Sequence, residues 1–201
     1  MSLVVLTGGS RSGKSNVAVA LAQECAGEVS FVGFAHTDND REMKRRVEMH
    51  RSTRPAEWHT IEARDSVEWT LRVGDGVLLI DCLGTLLGLV MSEVYAESDA
   101  GAFNDSRDVP LEFEAEVERR FAALVGWILR RWDHTIVVTN EVGEGVVPAH
   151  ASGRVFRDVL GRANRSLVDR ADAAYLVVAG RCIDLTEYPQ SARWPTSKGC
   201  K

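Results

Sequence analysis

A glycine-rich segment near the amino terminus has the residue types and the spacing of a phosphate-binding loop. Residues 8–15 read Gly-Gly-Ser-Arg-Ser-Gly-Lys-Ser and fit the pattern G-x-x-x-x-G-K-[ST] in full. An apolar strand is predicted before this segment and a helix after it, which a glycine-rich turn that binds nothing would not require. Glycines let backbone N–H groups converge on phosphate oxygens, and the start of a helix adds the positive end of its dipole.

The last two residues of this phosphate loop have separate expected roles. Lys14 is expected to reach the β- and γ-phosphates of a nucleoside triphosphate and so to be catalytic, and the Ser15 hydroxyl is expected to lie on Mg²⁺. The loop alone names no reaction, because GTPase switches, motors and small-molecule kinases all use it. The residues predicted to bind the nucleotide here are Gly8, Gly9, Ser10, Arg11, Ser12, Gly13, Lys14 and Ser15.

A carboxylate, Asp81, follows the apolar run Val77–Ile80 and is the candidate second ligand of the Mg²⁺. In phosphate-loop NTPases an acidic residue at the end of a buried strand helps to hold the metal. The alternative is that Asp81 caps the following helix. Residues 81–84 also spell the D-x-x-G of a switch GTPase, but the guanine-reading Asn-Lys-x-Asp is missing, so we consider a switch GTPase a weak interpretation.

A histidine among arginines stands in the segment DREMKRRVEMHRSTR, residues 40–54. Met43, Val47 and His50 share one face at helical spacing. The alternative to a chemical role is that His50 stands at the end of a helix, where the helix dipole stabilises it, and takes no part in chemistry. A neutral imidazole, whose reference pKa is about 6.5, can nevertheless act as a nucleophile beside a triphosphate. The surrounding positive charges are Arg45, Arg46, Arg51 and Arg54.

Apolar strands that alternate with helices predict an α/β fold with a mainly parallel sheet. One domain over residues 1–186 is expected, with a loose tail at Glu187–Lys201 and a mobile acidic loop at Glu97–Pro110. The predicted strands are Leu3–Thr7, Val29–Ala35, Val77–Cys82, Thr135–Asn140, Ala173–Val178 and Cys182–Leu185. The predicted helices are Asn16–Cys25, Asp40–His50, Leu111–Trp132 and Ser152–Asp169.

Composition excludes several classes of protein. The 201 residues include 24 Lys and Arg against 29 Asp and Glu, and the net charge of −5 argues against a nucleic-acid partner. The four cysteines are scattered, which disfavours a disulfide scaffold or a zinc site. The apolar runs are far shorter than the roughly 20 residues of a membrane span, so we expect no span and a cytoplasmic protein.

Five stretches together resemble one family, the bifunctional adenosylcobinamide kinase/adenosylcobinamide-phosphate guanylyltransferases of cobalamin biosynthesis. The phosphate loop is generic, whereas the histidine–arginine block and the NEVG-x-G-VVP block are specific to the family. The matching stretches are TGGSRSGKS at 7–15, REMKRRVEMHRSTRPAEWHTIE at 41–62, LLIDCLGTLL at 78–87, TNEVGEGVVP at 139–148, and GRVFRDVLGRANRSLVDRAD with YLVVAG over 153–180.

The resemblance implies two reactions. A nucleoside triphosphate, GTP or ATP, phosphorylates adenosylcobinamide, and GTP then gives GMP to adenosylcobinamide phosphate with release of pyrophosphate. His50 matches the histidine that carries GMP in the family. The resemblance also implies a three-layer, RecA-like P-loop NTPase fold and a homotrimer. Two rival interpretations are a phosphate-loop kinase without guanylyl transfer and a non-catalytic, nucleotide-gated corrinoid-binding protein.

Further nucleotide contacts are implied by matching positions to the family. The stretch after the second strand is expected near the phosphate loop, and the residues after His50 are expected on phosphate or ribose. Glu62 matches a family glutamate that could accept from guanine, with a solvated surface residue as the alternative. Arg154, Arg157 and Asp158 are either an anion-binding patch or an i,i+4 pair. The nucleotide contacts implied in this way are Gly33, Phe34, Ala35, Arg51, Ser52, Thr53, Arg54, Glu62 and Asp81.

One stretch departs from the family. Residues 84–88 read Gly-Thr-Leu-Leu-Gly where the family commonly has Thr and Trp. Two glycines weaken a helix by roughly 1 kcal/mol each relative to alanine, so a loop beside the corrinoid is expected here.

Overall fold

The computed structural model describes residues 2–34, 55–98, 109–131 and 133–191. Within these ranges the strands are β1 (Leu3–Thr7), β2 (Val29–Gly33), β3 (His59–Glu62), β4 (Val77–Asp81), β5 (Thr135–Val138), β6 (Ala173–Val178) and β7 (Arg181–Asp184). The α-helices are α1 (Lys14–Glu24), α2 (Leu83–Glu97), α3 (Leu111–Leu129) and α4 (Ala151–Val168), and a 3₁₀ helix spans Glu68–Leu71.

The strands form one sheet in the order β3-β2-β4-β5-β1-β6-β7. Every neighbouring pair is parallel except β6 and β7, which form an antiparallel hairpin. Strand β5 therefore lies between β1, which leads into the phosphate loop, and β4, which ends at Asp81. This arrangement confirms the predicted mainly parallel, RecA-like sheet of a P-loop NTPase.

Alternate strand residues face two separate cores, because successive side chains in a strand point to opposite faces. On one face Leu6, Leu79 and Val138 pack with Ala18 and Ala22 of α1. The opposite face is covered by α2, α3 and α4, which pack on one another and on strand residues Val5, Val32, Leu78, Ile80 and Val137. Helices thus lie on both faces, which gives three layers.

Helix α2 was not predicted, and the expected loop over residues 84–88 is wrong. The helix buries Leu83, Leu86, Leu87 and Val90 together with Gly84. A helix buried on several sides carries little amphipathic periodicity, so its sequence resembles an irregular apolar run. Burial here outweighs the helix-weakening effect of the two glycines.

Two short elements were also missed, and several boundaries differ from the prediction. Strand β3 has four residues, of which only Ile61 is buried, and the 3₁₀ helix has four. Helix α3 ends at Leu129 rather than Trp132, and Glu97 closes α2 rather than opening a loop. The predicted helix Asp40–His50, residues 99–108 of the acidic loop and residues 192–201 of the tail lie outside the described residues.

Candidate functional site

The phosphate loop turns from the carboxyl end of β1 into α1, as its motif predicts. The N–H groups of Asn16 and Val17 donate to the Gly13 carbonyl at 3.1 and 3.2 Å, which starts the helix directly at the loop. Arg11 adopts a left-handed backbone conformation with φ of 57°. This conformation is unfavourable for a residue other than glycine, and it tightens the turn. On the outer side Gly180 N–H donates to the Ser12 carbonyl at 2.8 Å, so the β6–β7 turn braces the loop.

Gly8 sits where a side chain cannot be accommodated. Its φ is +147°, and an added Cβ would lie 2.3 Å from the backbone carbonyl oxygen of Val177 on β6. Gly9, the next residue, has nothing within 4 Å of the corresponding position. The two neighbouring glycines therefore differ sharply in what they tolerate.

Gly8→Ala is expected to destabilise the protein by about 1–3 kcal/mol, because the loop must move away from β6 and adopt a strained backbone. Gly9→Ala is the matched control and should stay within about 0.5 kcal/mol of wild type. Urea unfolding followed by circular dichroism measures both. Equal losses in the two variants would contradict the steric argument.

Lys14 is held inside the loop and is almost fully buried. Its Nζ donates to the carbonyls of Gly8 at 2.9 Å and Gly9 at 2.7 Å, with a longer contact of 3.4 Å to Ser12 Oγ. Burial lowers the pKa of the Lys14 ammonium, and the negative charge of the nearby Asp81 carboxylate partly opposes that shift. The loop therefore concentrates a poorly solvated positive charge where a phosphate chain would bind.

A cavity of about 430 Å³ opens at this edge of the sheet. Its wall joins the phosphate loop, the end of β4 and the end of β5, so the predicted Lys14, Ser15 and Asp81 meet in one place. The lining residues are Ser10, Arg11, Ser12, Gly13, Lys14, Ser15, Asn16, Asp81, Cys82, Val138 and Asn140. Asn16, Cys82 and Val138 also form part of this lining, and none of them carries a motif signal in the sequence.

The donors around this cavity suit Mg²⁺ bound together with a nucleotide. Ser15 offers a hydroxyl and Asp81 a carboxylate, which are the hard oxygen ligands that Mg²⁺ prefers. Among the described residues no group of three or more His, Cys, Asp or Glu side chains could hold a metal ion. Mg²⁺ is usually held by one or two carboxylates, water and substrate phosphates rather than by a cage of protein ligands.

The alternative that Asp81 caps a helix is not supported. The N-cap residue of α2 is Cys82, whose N–H donates to Thr85 Oγ1 at 3.2 Å. The Thr85 hydroxyl in turn donates to the Cys82 carbonyl at 2.7 Å. Burial raises the pKa of the Cys82 thiol, which keeps this sulfur in its neutral, unreactive form.

Two of the other predicted nucleotide contacts, Gly33 and Glu62, lie further along the same edge of the sheet. Gly33 ends β2, which is separated from β1 by two strands, or about 14 Å. Gly33 thus lies at the same sheet edge as the phosphate loop but is not adjacent to it, and its role as a nucleotide contact stays a prediction. The Phe34 ring is buried and packs edge-to-face on Trp69 at 5.5 Å, so its side chain belongs to the core.

Glu62 is among the described residues, whereas the histidine–arginine block is not. Glu62 is exposed at the end of β3, at the same sheet edge, about 19 Å from β1 by strand spacing. The remaining predicted contacts lie outside the described residues: Ala35, His50, Arg51, Ser52, Thr53 and Arg54.

The arginines of α4 are engaged locally. Arg154 donates to the carbonyls of Pro148 and Ala149 at 3.2 and 3.1 Å, which ties the loop after β5 to the first turn of α4. Arg157 donates to Asp158 at 2.7 Å, and this pairing lowers the pKa of the Asp158 carboxyl. The Arg157–Asp158 ion pair therefore joins adjacent residues of the helix.

The comparisons with known proteins identify what the chain resembles. A family model described as cobinamide kinase/cobinamide phosphate guanyltransferase matches residues 4–185. The bifunctional adenosylcobalamin biosynthesis protein CobU of Salmonella typhimurium is 31% identical over 181 residues, covering 89% of this chain and 96% of that protein. The corresponding protein CobP of Pseudomonas aeruginosa is 32% identical over 188 residues, covering 92% and 98%.

Solved structures give a weaker likeness. An ATPase from the type III secretion system of pathogenic bacteria matches with a TM-score of 0.48 at 12% identity, covering 87% of this chain and 50% of that chain. No helix in the described part of the chain is long and apolar enough to cross a membrane.

Proposed function

The chain belongs to the cobinamide kinase/cobinamide phosphate guanyltransferase family, and on that premise we propose how its residues perform the two reactions. The protein is a bifunctional enzyme of cobalamin biosynthesis. It phosphorylates cobinamide and then attaches a guanylyl group to cobinamide phosphate. The observation that carries the residue assignments is the cavity in which Lys14, Ser15 and Asp81 meet.

The phosphate loop positions the triphosphate for the kinase reaction. The cobinamide hydroxyl oxygen bonds to the γ-phosphorus and releases its proton to solvent, while the bond from that phosphorus to the leaving diphosphate oxygen breaks. Lys14 stabilises the charge that develops on the phosphate oxygens, and the backbone N–H groups of the loop hold the triphosphate in line with the attacking oxygen. For this, Lys14 Nζ exchanges its present acceptors, the Gly8 and Gly9 carbonyls, for phosphate oxygens.

Ser15 and Asp81 are the proposed protein ligands of Mg²⁺. When bound, the metal would neutralise charge on the β- and γ-phosphates. Asp81 lies at the end of β4, across β5 from the phosphate loop, so its carboxylate faces the cavity from the opposite wall. The two ligands thus approach the phosphate chain from two sides.

Asp81→Asn should weaken nucleotide binding roughly tenfold, about 1.4 kcal/mol, in the presence of Mg²⁺ and much less in its absence. The amide keeps the size of the side chain but loses the charge that attracts the cation. Glu141→Gln is the matched control, since Glu141 follows the neighbouring strand and its Oε1 accepts from Gly143 N–H outside the cavity. Calorimetry with and without Mg²⁺ measures the difference, and equal effects of Asp81→Asn in both conditions would contradict metal binding.

His50 is the proposed nucleophile of the guanylyl reaction. A ring nitrogen bonds to the α-phosphorus of GTP, and the bond to the bridging oxygen of pyrophosphate breaks. A phosphate oxygen of cobinamide phosphate then bonds to the same phosphorus and releases the histidine. The arginines that follow His50 in the sequence supply positive charge for the oxygens around that phosphorus.

The remaining nucleotide contacts are proposed from the family match. Glu62 accepts from guanine, and Gly33, Phe34 and Ala35 contribute through their backbone, since the Phe34 ring is buried. The position of Glu62 at the same sheet edge as the phosphate loop supports this placement, because ligands of open α/β sheets bind beyond the carboxyl ends of strands. Arg51, Ser52, Thr53 and Arg54 are proposed on phosphate or ribose.

The assembly and location are also proposals. We assign a homotrimer, which light scattering would detect as three times the mass of one chain. We place the enzyme in the cytoplasm without a nucleic-acid partner. The free thiols of Cys25, Cys82 and Cys182 support a reducing compartment, and the net charge of −5 is unsuited to nucleic acid.

The two reactions and their order are tested by following the products of the wild-type enzyme. Incubation with cobinamide, Mg²⁺ and either ATP or GTP should give cobinamide phosphate and a nucleoside diphosphate. Addition of GTP should then give cobinamide-GDP and one pyrophosphate per product. Conversion that stops at cobinamide phosphate would indicate a kinase alone, and nucleotide binding without turnover would indicate a non-catalytic binding protein.

A further inference from the structure

A buried asparagine on α4 is bonded directly to the strand end that reaches the cavity. Asn164 is 8% exposed, and its Oδ1 accepts from the Thr139 hydroxyl at 2.6 Å. Its Nδ2 donates to the main-chain carbonyl of Asn140 at 3.0 Å. One carboxamide thus holds two consecutive residues at the carboxyl end of β5.

This strand end is fixed on its other side by the phosphate-loop strand. Thr139 N–H donates to the Leu6 carbonyl at 2.9 Å, and Glu141 N–H donates to the Gly8 carbonyl at 3.1 Å. The Asn140 carbonyl lies between these two bonds, and Asn164 is its partner on the opposite side. The main chain around Asn140 is therefore clamped between the phosphate loop and α4.

The Asn140 side chain is confined as well. It lines the cavity together with Lys14 and Asp81. Its Nδ2 lies 4.0 Å from Cys82 Sγ, and an added Cβ on Gly84 would lie 3.3 Å from that nitrogen. Because β5 lies between β1 and β4, this carboxamide stands between the phosphate loop and the proposed Mg²⁺ ligand.

We propose that Asn164 is a positioning residue for phosphoryl transfer, which holds Asn140 so that the Asn140 carboxamide donates to the transferring phosphoryl group. The inference rests on the proposed function of this cavity. Asn140 can act as a hydrogen-bond donor at the γ-phosphate only if its backbone does not move. Asn164 does not line the cavity, so its effect passes through Asn140.

The test measures steady-state phosphorylation of cobinamide by the full chain. Asn164→Leu removes both hydrogen bonds at similar volume and should lower kcat by between about tenfold and 10²-fold, with a KM for nucleotide within about twofold of wild type. Asn140→Ala should lower kcat by a similar factor. The double variant should be no slower than the slower single variant, since both changes remove one function.

Thr139→Val is the matched control. It removes the 2.6 Å bond to Asn164 but leaves the bond from Asn164 to the Asn140 carbonyl, so it should lower thermal stability and keep kcat within about twofold of wild type. A folded Asn164→Leu variant with wild-type kcat would overturn the inference. A loss of kcat in the Asn140→Ala/Asn164→Leu double variant that equals the product of the two single losses would also overturn it.

Asn164→Asp decides the matter if Asn164→Leu does not fold. The introduced carboxyl group can still accept from Thr139, but it donates to the Asn140 carbonyl only when protonated. Its kcat relative to wild type should therefore rise as the pH falls, and a ratio that stays at one across the pH range would overturn the inference. An inactive wild type in the same assay would instead contradict the proposed function.

Discussion

Lys14→Ala should abolish both reactions while the fold is retained. Lys14 provides the buried charge at the phosphate loop, and its hydrogen bonds to Gly8 and Gly9 show that its Nζ already lies within the loop. Removal of one such donor in a catalytic site costs on the order of 10²–10³ in kcat. Product formation in the kinase and guanylyl assays measures the loss, and circular dichroism verifies the fold.

A proton-uptake measurement separates loss of charge from loss of shape at this position. Burial lowers the pKa of Lys14. At alkaline pH values that still lie below the ordinary lysine pKa of about 10.4, a fraction of the free protein therefore has a neutral amine at this position. A bound triphosphate favours the ammonium, so wild-type binding should take up protons there. Calorimetry in buffers of different ionisation enthalpy detects this uptake, which Lys14→Ala should lack. Unchanged kinase turnover in Lys14→Ala would contradict the assignment of the loop.

The phosphate loop and its helix were predictable because the information is local. Residues 8–15 contain the glycines, the lysine and the serine in one contiguous pattern, and α1 begins at Lys14 within it. Strand β1 and strand β6 were predicted with their exact bounds, since each is a short apolar run that is followed by a glycine within two residues. Patterns of this kind do not depend on distant neighbours.

Helix α2 and strand β3 could not be predicted in the same way. Gly84 weakens an isolated helix, yet in the fold it packs beside Asn140 and the ring of Phe156, which are distant in sequence. Strand β3 buries only Ile61 and pairs with β2 alone at the edge of the sheet, so its alternation is faint. In both cases tertiary contacts overcome weak local preference.

The candidate site shows the same division between local and distant information. Asp81 was predicted from the apolar strand before it, and the sheet order then brings it to the same cavity as Lys14. Asn164 gave no signal, because its two partners, Thr139 and Asn140, are 25 and 24 residues away. An asparagine in mid-helix is ordinary in a sequence, and only its burial against a strand end makes it informative.

The second large effect is expected at His50. Incubation of the wild type with GTP and Mg²⁺ should add one GMP to the intact protein and release pyrophosphate, because the imidazole nitrogen displaces pyrophosphate from the α-phosphorus. The phosphorus–nitrogen bond should be labile in acid and stable in base, unlike a phosphoserine ester. Intact-mass measurement before and after acid treatment distinguishes the two linkages.

His50→Asn should lose the adduct and the guanylyl transfer while it retains part of the kinase activity. Phosphorylation needs in-line positioning and charge neutralisation at the phosphate loop, and neither requires a histidine nucleophile. Adduct formation by the wild type should also fall as acid protonates the imidazole, since imidazolium has no free lone pair. His59→Asn is the matched control, since His59 is a second histidine nearby in the sequence and begins β3. This variant should form the adduct at the wild-type yield. An adduct at full yield in His50→Asn would refute the assignment and direct the search to His36 or His59.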